Sequence, residues 1–465
     1  MRDLLKSFFA FGLATTLEKL IAFALVPLYV NIFSIEEFGI IDLIQVTIGI
    51  LTVFGFLQFE SALQRYYYDY KGLVKRGFIT MVYVVVIALS LLIVFLVLLL
   101  APSLSILLFE TDKYSNLLII SVSQIPFNNV IVLSLLILRY ERQNIKFTIL
   151  LLFKVIITLF LILFFVLNLK KGIEGIFIAR LIGGFISMSI VLIFMRKNFV
   201  LNFSKKILIK SIRYSLPLVP ASIGSVLSAN ANRFFITTFL TMSAVGIYAF
   251  SLKIASVMHM VYIAFIMAWG PFLFSKLKEK NHKRYFADIL MVIATPVFIF
   301  VIGLSLFAKE IVQLISPIEF EQSTLYVGGL ALYYSLFIIK EVVDVGPKAT
   351  EKTKYISYNY LVTLMFNFIL LFFLIKYLDI EGVVISMILT NTILVILSWI
   401  VSNKIYYISH HLFDFALVII PAYVISLLVM FIDFSFIIRI SLLIFMFIGY
   451  LLFFYKYFNK VRSRK

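Results

Sequence analysis

The sequence predicts an all-α polytopic membrane protein of about 14 transmembrane helices: two six-helix bundles in parallel repeat, followed by a C-terminal helix pair. Three observations predict it. The chain of 465 residues is 63% hydrophobic and only 14% charged, with a mean hydropathy of +1.10. A soluble domain is near half apolar and about a quarter charged. The apolar runs are about 20 residues long, enough to cross roughly 30 Å of hydrocarbon as helix. Finally, two loop patterns recur at one offset of 207 residues. Phe33-Ser34-x-x-x-Phe38-Gly39-Ile40 returns as Leu240-Thr241-x-x-x-Val245-Gly246-Ile247, and Ile173-Glu174-Gly175-Ile176 returns as Ile380-Glu381-Gly382-Val383. Repeats of this size are a common way of building transporters.

Taken in order, the spans are expected near 7–31, 38–62, 78–101, 114–138, 147–168, 173–195, 211–239, 244–274, 285–307, 323–346, 355–376, 380–402, 412–432 and 435–457, with the least certain boundaries at Pro102 and Pro317. The first stretch opens with Arg2 and Lys6 like a signal peptide, but Glu18 and Lys19 interrupt it, so it reads as a retained first helix. Spans one to six form an N-terminal bundle over 1–200 and spans seven to twelve a second over 201–403. Spans thirteen and fourteen, over 404–465, fall outside the repeat. Six spans per repeat is an even number, so both repeats enter the membrane in the same direction. The connector Ser204–Lys210 mixes lysines with apolar residues and reads as a short surface helix or a solvated link.

The charges test the span count. With the N-terminus placed in the cytoplasm, 29 Lys and Arg fall in the termini and even-numbered loops, against 5 on the other side. A miscounted helix would scramble this sorting, so the bias supports 14 spans with both termini cytoplasmic. Arg65, Arg76, Lys205 and Lys280 are then cytoplasmic, and Glu37, Lys113 and Glu319 external. The net charge of +18 is explained by these loops and gives no reason to invoke nucleic acid. With no cysteine in the chain, disulfides, thiolate metal sites and a cysteine nucleophile are excluded. The four histidines show no metal-ligand spacing, and no Gly-rich phosphate loop is present. Neither an enzyme nor a cofactor is expected.

Seven basic residues remain inside spans: Lys19, Lys154, Arg180, Arg233, Lys253, Lys340 and Arg439. Each needs a water-filled cavity, a partner or a nearby interface. Lys19 lies near mid-membrane and reads as a cavity residue or a structural pair. Its neighbour Glu18 points about 100° away around the helix. Arg180 and Arg233 sit at comparable depth in spans six and seven, where the guanidinium fork suits bidentate phosphate contacts. Either could instead be held by a nearby acid. Lys154 and Lys253 are cavity candidates that could also snorkel. These five are the candidate substrate-binding residues, and Glu18, Asp42 and Glu60 the candidate ion-coupling ones. Lys340 and Asp344 are four apart and read as a local ion pair. Arg439 reads as an interfacial anchor.

Several stretches give the chain a family likeness. They are Ile35-Glu36-Glu37-Phe38-Gly39, Ser215-Leu216-Pro217-Leu218, Asn232-Arg233-Phe234-Phe235, Val245-Gly246-Ile247-Tyr248, Ala268-Trp269-Gly270-Pro271-Phe272, the Glu381-Gly382 turn and Asn367. On these the chain resembles the polysaccharide transporter family, the oligosaccharide-lipid flippases of O-antigen, capsule and exopolysaccharide synthesis, related to multidrug antiporters and lipid II flippases. The resemblance implies a bacterial cytoplasmic-membrane flippase for undecaprenyl-diphosphate-linked oligosaccharide. Its expected partners are that glycolipid, membrane lipid, a polysaccharide polymerase and a chain-length regulator. One departure is that relatives often carry Asp-Arg where this chain has Asn232-Arg233, so any role of that acid does not transfer. The residues leave open a drug or organic-cation exporter, a membrane polysaccharide polymerase, and a scaffold.

Overall fold

The computed structural model describes residues 2–277, 279, 281–352 and 354–463, giving only the backbone for 2–16 and for Pro271. The expected loop residues Lys278, Lys280, Arg464 and Lys465 lie outside the described residues. Within those residues the chain is helical throughout, which is what a backbone surrounded by lipid requires: each N–H and C=O must be satisfied inside its own segment. The chain divides into two compact units, Met1–Arg233 and Phe234–Lys465.

The first unit contains α1 (Arg2–Ile32), α2 (Ile35–Phe56), the short α3 (Phe59–Tyr66), α4 (Gly72–Phe109), α5 (Ser115–Val122), α6 (Ile125–Tyr140), α7 (Asn144–Leu163) and α8 (Gly172–Met195). A connector helix α9 (Lys205–Ser215) leads to α10 (Val219–Phe239), which crosses the division between units. The second unit continues with α11 (Met242–Lys276), α12 (His282–Leu306), α13 (Ala308–Ile315), α14 (Thr324–Val343), the one-turn α15 (Val345–Ala349), α16 (Lys354–Ile405), α17 (Leu412–Leu428) and α18 (Phe436–Arg462).

Two boundaries differ from expectation, and the connector takes the helical one of its two readings. α4 runs through Pro102 to Phe109 instead of ending near residue 101. A proline lacks one N–H but does not forbid a helix that its surroundings require. The second span ends at Phe56, where Leu57 and Gln58 adopt positive φ before α3 turns away. The connector folds as α9, with Ser204 Oγ accepting from Ile207 N at 3.5 Å, and packs on α3.

Ten helices among the described residues are long and apolar enough to cross a membrane, so this is a multi-pass membrane protein. One of the ten, α16, is two helices joined at Leu378 and Asp379, whose φ/ψ of −133°/15° and 44°/−127° are not helical. The fourteen-span count needs that division and also α1, α10 and the shorter α17.

The 207-residue offset reappears in the backbone. α1 ends at Ile32 and α10 at Phe239, while α2 starts at Ile35 and α11 at Met242. The reason is a shared cap. Ser34 Oγ accepts from Glu37 N at 3.2 Å while Glu37 Oε2 accepts from Ser34 N at 2.9 Å, a capping box. Thr241 Oγ1 accepts from Ala244 N at 3.2 Å. The second landmark also holds: Gly172 has φ 57° and Asp379, 207 positions on, has φ 44°. Each precedes a glycine wedged against the preceding segment. A Cβ on Gly175 would lie 3.2 Å from Phe165 O, and one on Gly382 only 2.2 Å from Leu374 O.

Contacts between loops sort each unit into two faces. In the first, Glu141 after α6 accepts from Tyr67 Oη at 3.0 Å and from Asn198 Nδ2 at 2.9 Å, and Lys75 lies 3.6 Å over the Tyr67 ring. The loops following α3, α6 and α8 therefore share a face. Burial and the Glu141 carboxylate push the Tyr67 hydroxyl pKa well up. On the opposite face burial, and then the charges of Glu36 and Glu37, raise the pKa of Tyr114. In the second unit His411 meets Asp288 at 2.9 Å and Gly346 N donates to Ser402 Oγ at 2.8 Å. At its other face Lys309 meets Asp433 at 3.3 Å and Tyr326 Oη donates to Glu381 at 3.1 Å. α18 packs on α12, and α17 on α12 and α14.

Candidate functional site

Three of the eight candidate charges meet in one cavity of about 330 Å³ within the first unit, and its walls come from α1, α6, α7 and α8. The polar residues reach it as pairs four apart, the spacing that puts two side chains on one helix face. Gln124 and Asn128 come from the start of α6, Lys154 and Thr158 from α7, and Arg180 with Gly184 from α8, while Glu18 and Ala22 come from α1. Gly183 lets α7 and α8 close together, since a Cβ there would lie 2.8 Å from Thr158 Oγ1.

The cavity lies at membrane depth. Arg180 is eight residues into α8, about 12 Å from its start, and Lys154 ten residues into α7, about 15 Å. Both Glu18 and Arg180 act electrostatically on Lys154. None of the three has an opposite charge within 4.0 Å among the described residues. Arg180 rests its guanidinium 5.7 Å from the Phe177 ring one turn earlier, and a contact through the flat face of the fork leaves the in-plane N–H groups able to meet a ligand. Two cations against one carboxylate in a membrane-level cavity can hold an anionic group, while Gln124, Asn128 and Thr158 supply neutral hydrogen bonds. Nothing in their charge marks these three polar residues in the sequence; their four-residue spacing to one another or to Lys154 is the signal that finds them.

The other candidates lie elsewhere. Lys19 is exposed and does not line the cavity, whereas Glu18 does. Arg233 is bound to an acid: its Nε lies 2.5 Å from Asp42 Oδ2, with Nη1 3.4 Å from Asn230 Oδ1. The structure thus selects the ion-pair alternative for Arg233 and joins a substrate candidate to the ion-coupling candidate Asp42. Glu60 sits on α3 with a buried Oε2 that has no hydrogen-bond partner among the described residues. Lys253, on α11 of the second unit, is partly buried.

Lys340 pairs with Asp344 at 2.9 Å, as the spacing predicts, and with Glu341 at 3.2 Å. Lys348 completes that cluster against Glu341. Arg439 forms a two-pronged contact with Glu310 at 2.7 and 2.8 Å. It is therefore an ion-pair partner as well as a residue near a helix start.

The polysaccharide biosynthesis protein family model matches residues 4–278. The chain belongs to that family. No curated protein matches it. Solved structures match over most of its length. The lipid II flippase MurJ, in an inward closed conformation, is 19% identical, covers 96% of this chain and 98% of its own, and has a TM-score of 0.75. A multidrug resistance MATE family transporter of the MOP superfamily, inward-facing, is 16% identical over 83% of this chain and 94% of its own, with a TM-score of 0.63. The outward-facing form of such a transporter is 16% identical over 85% and 93%, with a TM-score of 0.55. At these identities the likeness is one of fold, and it matches the all-helical expectation.

Proposed function

We propose that this protein is a flippase. It carries undecaprenyl-diphosphate-linked oligosaccharide from the cytoplasmic to the outer leaflet of a bacterial cytoplasmic membrane, for surface polysaccharide synthesis. It works by alternating access of its two repeats, with both termini cytoplasmic. The observation that carries the proposal is the cavity in which Arg180 and Lys154 stand at membrane depth with no ion-pair partner among the described residues. An unpaired charge in that position costs a few kcal/mol even on lenient scales. A substrate with an anionic diphosphate offsets that cost when bound, and its polar sugar head cannot cross hydrocarbon unaided. The family membership supports the pathway, and the fold supports transport. The polymerase and chain-length regulator expected as partners belong to the same proposal.

A second reading, a cation-coupled exporter of drugs or organic cations, is favoured by one observation: Glu18 lines the same cavity. Flipping of lipid-linked oligosaccharide, measured in a strain lacking its own flippase and normalised to protein level, separates the two. Each charge-assisted contact is worth about 1.5–3 kcal/mol. Arg180→Ala and Lys154→Ala together should therefore abolish measurable flux, and Arg180→Lys should restore part of what Arg180→Ala loses. Normal flux in the double variant would remove the cavity from the substrate path. Drug efflux abolished by Glu18→Gln, with no glycolipid flux in the unaltered protein, would establish the exporter.

A further inference from the structure

A second polar cavity, of about 290 Å³, lies within the second unit at the face away from the α16–α17 loop. Its size is near the lower end of small-ligand pockets, roughly 300 Å³. It forms where four helix ends meet: those of α12 and α17, and the starts of α14 and α18. Its lining carries two cations, Lys309 and Arg439, and two carboxylates, Glu321 and Asp433. No part of the flippase proposal uses it.

Two features show that these groups are not saturated by one another. Lys309 Nζ stands 3.3 Å from Asp433 and 3.6 Å from Glu321, longer than the roughly 2.7–2.9 Å of a charge-assisted hydrogen bond. In addition, two polar atoms of the lining, Arg439 Nε and Thr324 Oγ1, are buried with no hydrogen-bond partner among the described residues. A buried donor left unmade costs about 1–3 kcal/mol, and a bound oxyanion beside Arg439 removes that cost. Beyond the polar lining the surface is apolar. Phe431, Ile432, Phe436 and Ile437, at the facing ends of α17 and α18, are all exposed, as they are in a protein whose surroundings there are acyl chains.

We propose that this cavity binds the headgroup of a phosphatidylethanolamine-type lipid. The phosphate sits against Lys309, Arg439 Nε and Thr324. The ammonium sits between Asp433 and Glu321, and the acyl chains run along the apolar ends of α17 and α18. A purely anionic headgroup would face two carboxylates with nothing to offer them. A choline headgroup has no N–H to donate to them.

The test is lipid retention by the full-length protein in mild detergent, measured by native mass spectrometry after exposure to dioleoyl phosphatidylethanolamine, phosphatidylglycerol or phosphatidylcholine. The unaltered protein should retain phosphatidylethanolamine about tenfold better than the other two. Lys309→Gln should lower its retention toward theirs. Asp433→Asn, at an exposed carboxylate, should lower phosphatidylethanolamine selectively. Arg439 also holds Glu310 and the Leu306 carbonyl, so its loss risks the fold, and the two rim variants carry the test. Equal retention of the three lipids, or rim variants that retain phosphatidylethanolamine as the unaltered protein does, overturns the proposal. Full competition by soluble phosphoethanolamine overturns the lipid as the ligand.

Discussion

Replacing Arg233 by Ala tests whether this arginine serves structure or substrate. Its guanidinium and the Asp42 carboxylate approach to 2.5 Å, with side chains only 9% and 6% exposed. At an effective dielectric of about 20, their attraction at that separation is on the order of 7 kcal/mol. Desolvation of both ions offsets much of this, so the pair as a whole can be close to neutral, but removing one partner strands the other. That loss is typically about 3–5 kcal/mol. For a unit of this size it lowers the melting temperature by roughly 6–20 °C. The assay is thermal unfolding of purified Arg233→Ala, Asp42→Ala and the double variant, each with flux per molecule. If the pair is structural, each single variant melts early. The double variant should then lose far less than the sum of the two single losses and melt later than either single variant. Strictly additive losses would refute the coupling. Unchanged melting of Arg233→Ala with lost flux would return Arg233 to the substrate.

Three further outcomes follow from local geometry. Gly382→Ala should destabilise by about 1–3 kcal/mol or more, because its Cβ would lie 2.2 Å from a backbone carbonyl, while Gly175→Ala, at 3.2 Å, should cost less. Asp379→Gly should raise the melting temperature by relieving a φ of 44° at a residue with a side chain. Equal effects at the two glycines, or a lower melting point for Asp379→Gly, would contradict this account. His410, in the loop between α16 and α17, is pushed down from 6.5 to about 4 by burial and then by the charge of His411. The unfolded chain therefore takes up the proton first, and the stability contributed by a neutral His410 is present above pH 6.5 and lost as pH falls toward 4. That loss is roughly 3 kcal/mol, and a shallower decline of melting temperature with acidification in His410→Phe checks it. In this cysteine-free chain, single cysteines at Arg65 and Lys205 should be labelled from one side of the membrane, and cysteines at Lys113 and Glu319 from the other. Labelling of all four from one side would break the span count.

What the sequence made legible is what local chemistry decides. Ser34 and Thr241 cap helices because a hydroxyl before a helix start satisfies a free N–H, and that needs no knowledge of the rest of the chain. At the second landmark only the repeated Ile-Glu-Gly pattern is legible; the positive φ of Gly172 and Asp379 just before it is not. Pro102 misled because its effect is set by its surroundings and not by the residue alone. The 100° between Glu18 and Lys19 correctly separates their directions, but it does not say which of the two enters a cavity. That depends on where α6, α7 and α8 stand around α1.

The intramembrane charges divide by a property the sequence does not display. Arg233 and Asp42 are separated by 191 positions, and nothing at either one announces the other. Beside this arginine in the sequence stands Asn232, and its carboxylate partner comes from α2. A charge matched in this way has met the cost of leaving water within the protein and needs no ligand. Glu18, Lys154 and Arg180 have not: they share a cavity, and no opposite charge lies within 4.0 Å of any of them among the described residues. Their cost is met by water or by cargo. Equal depth and equal charge made Arg180 and Arg233 look alike as candidates. The Asp42 carboxylate beside Arg233 is what sets the two apart, and it is Arg180 that the proposed function asks to hold the cargo.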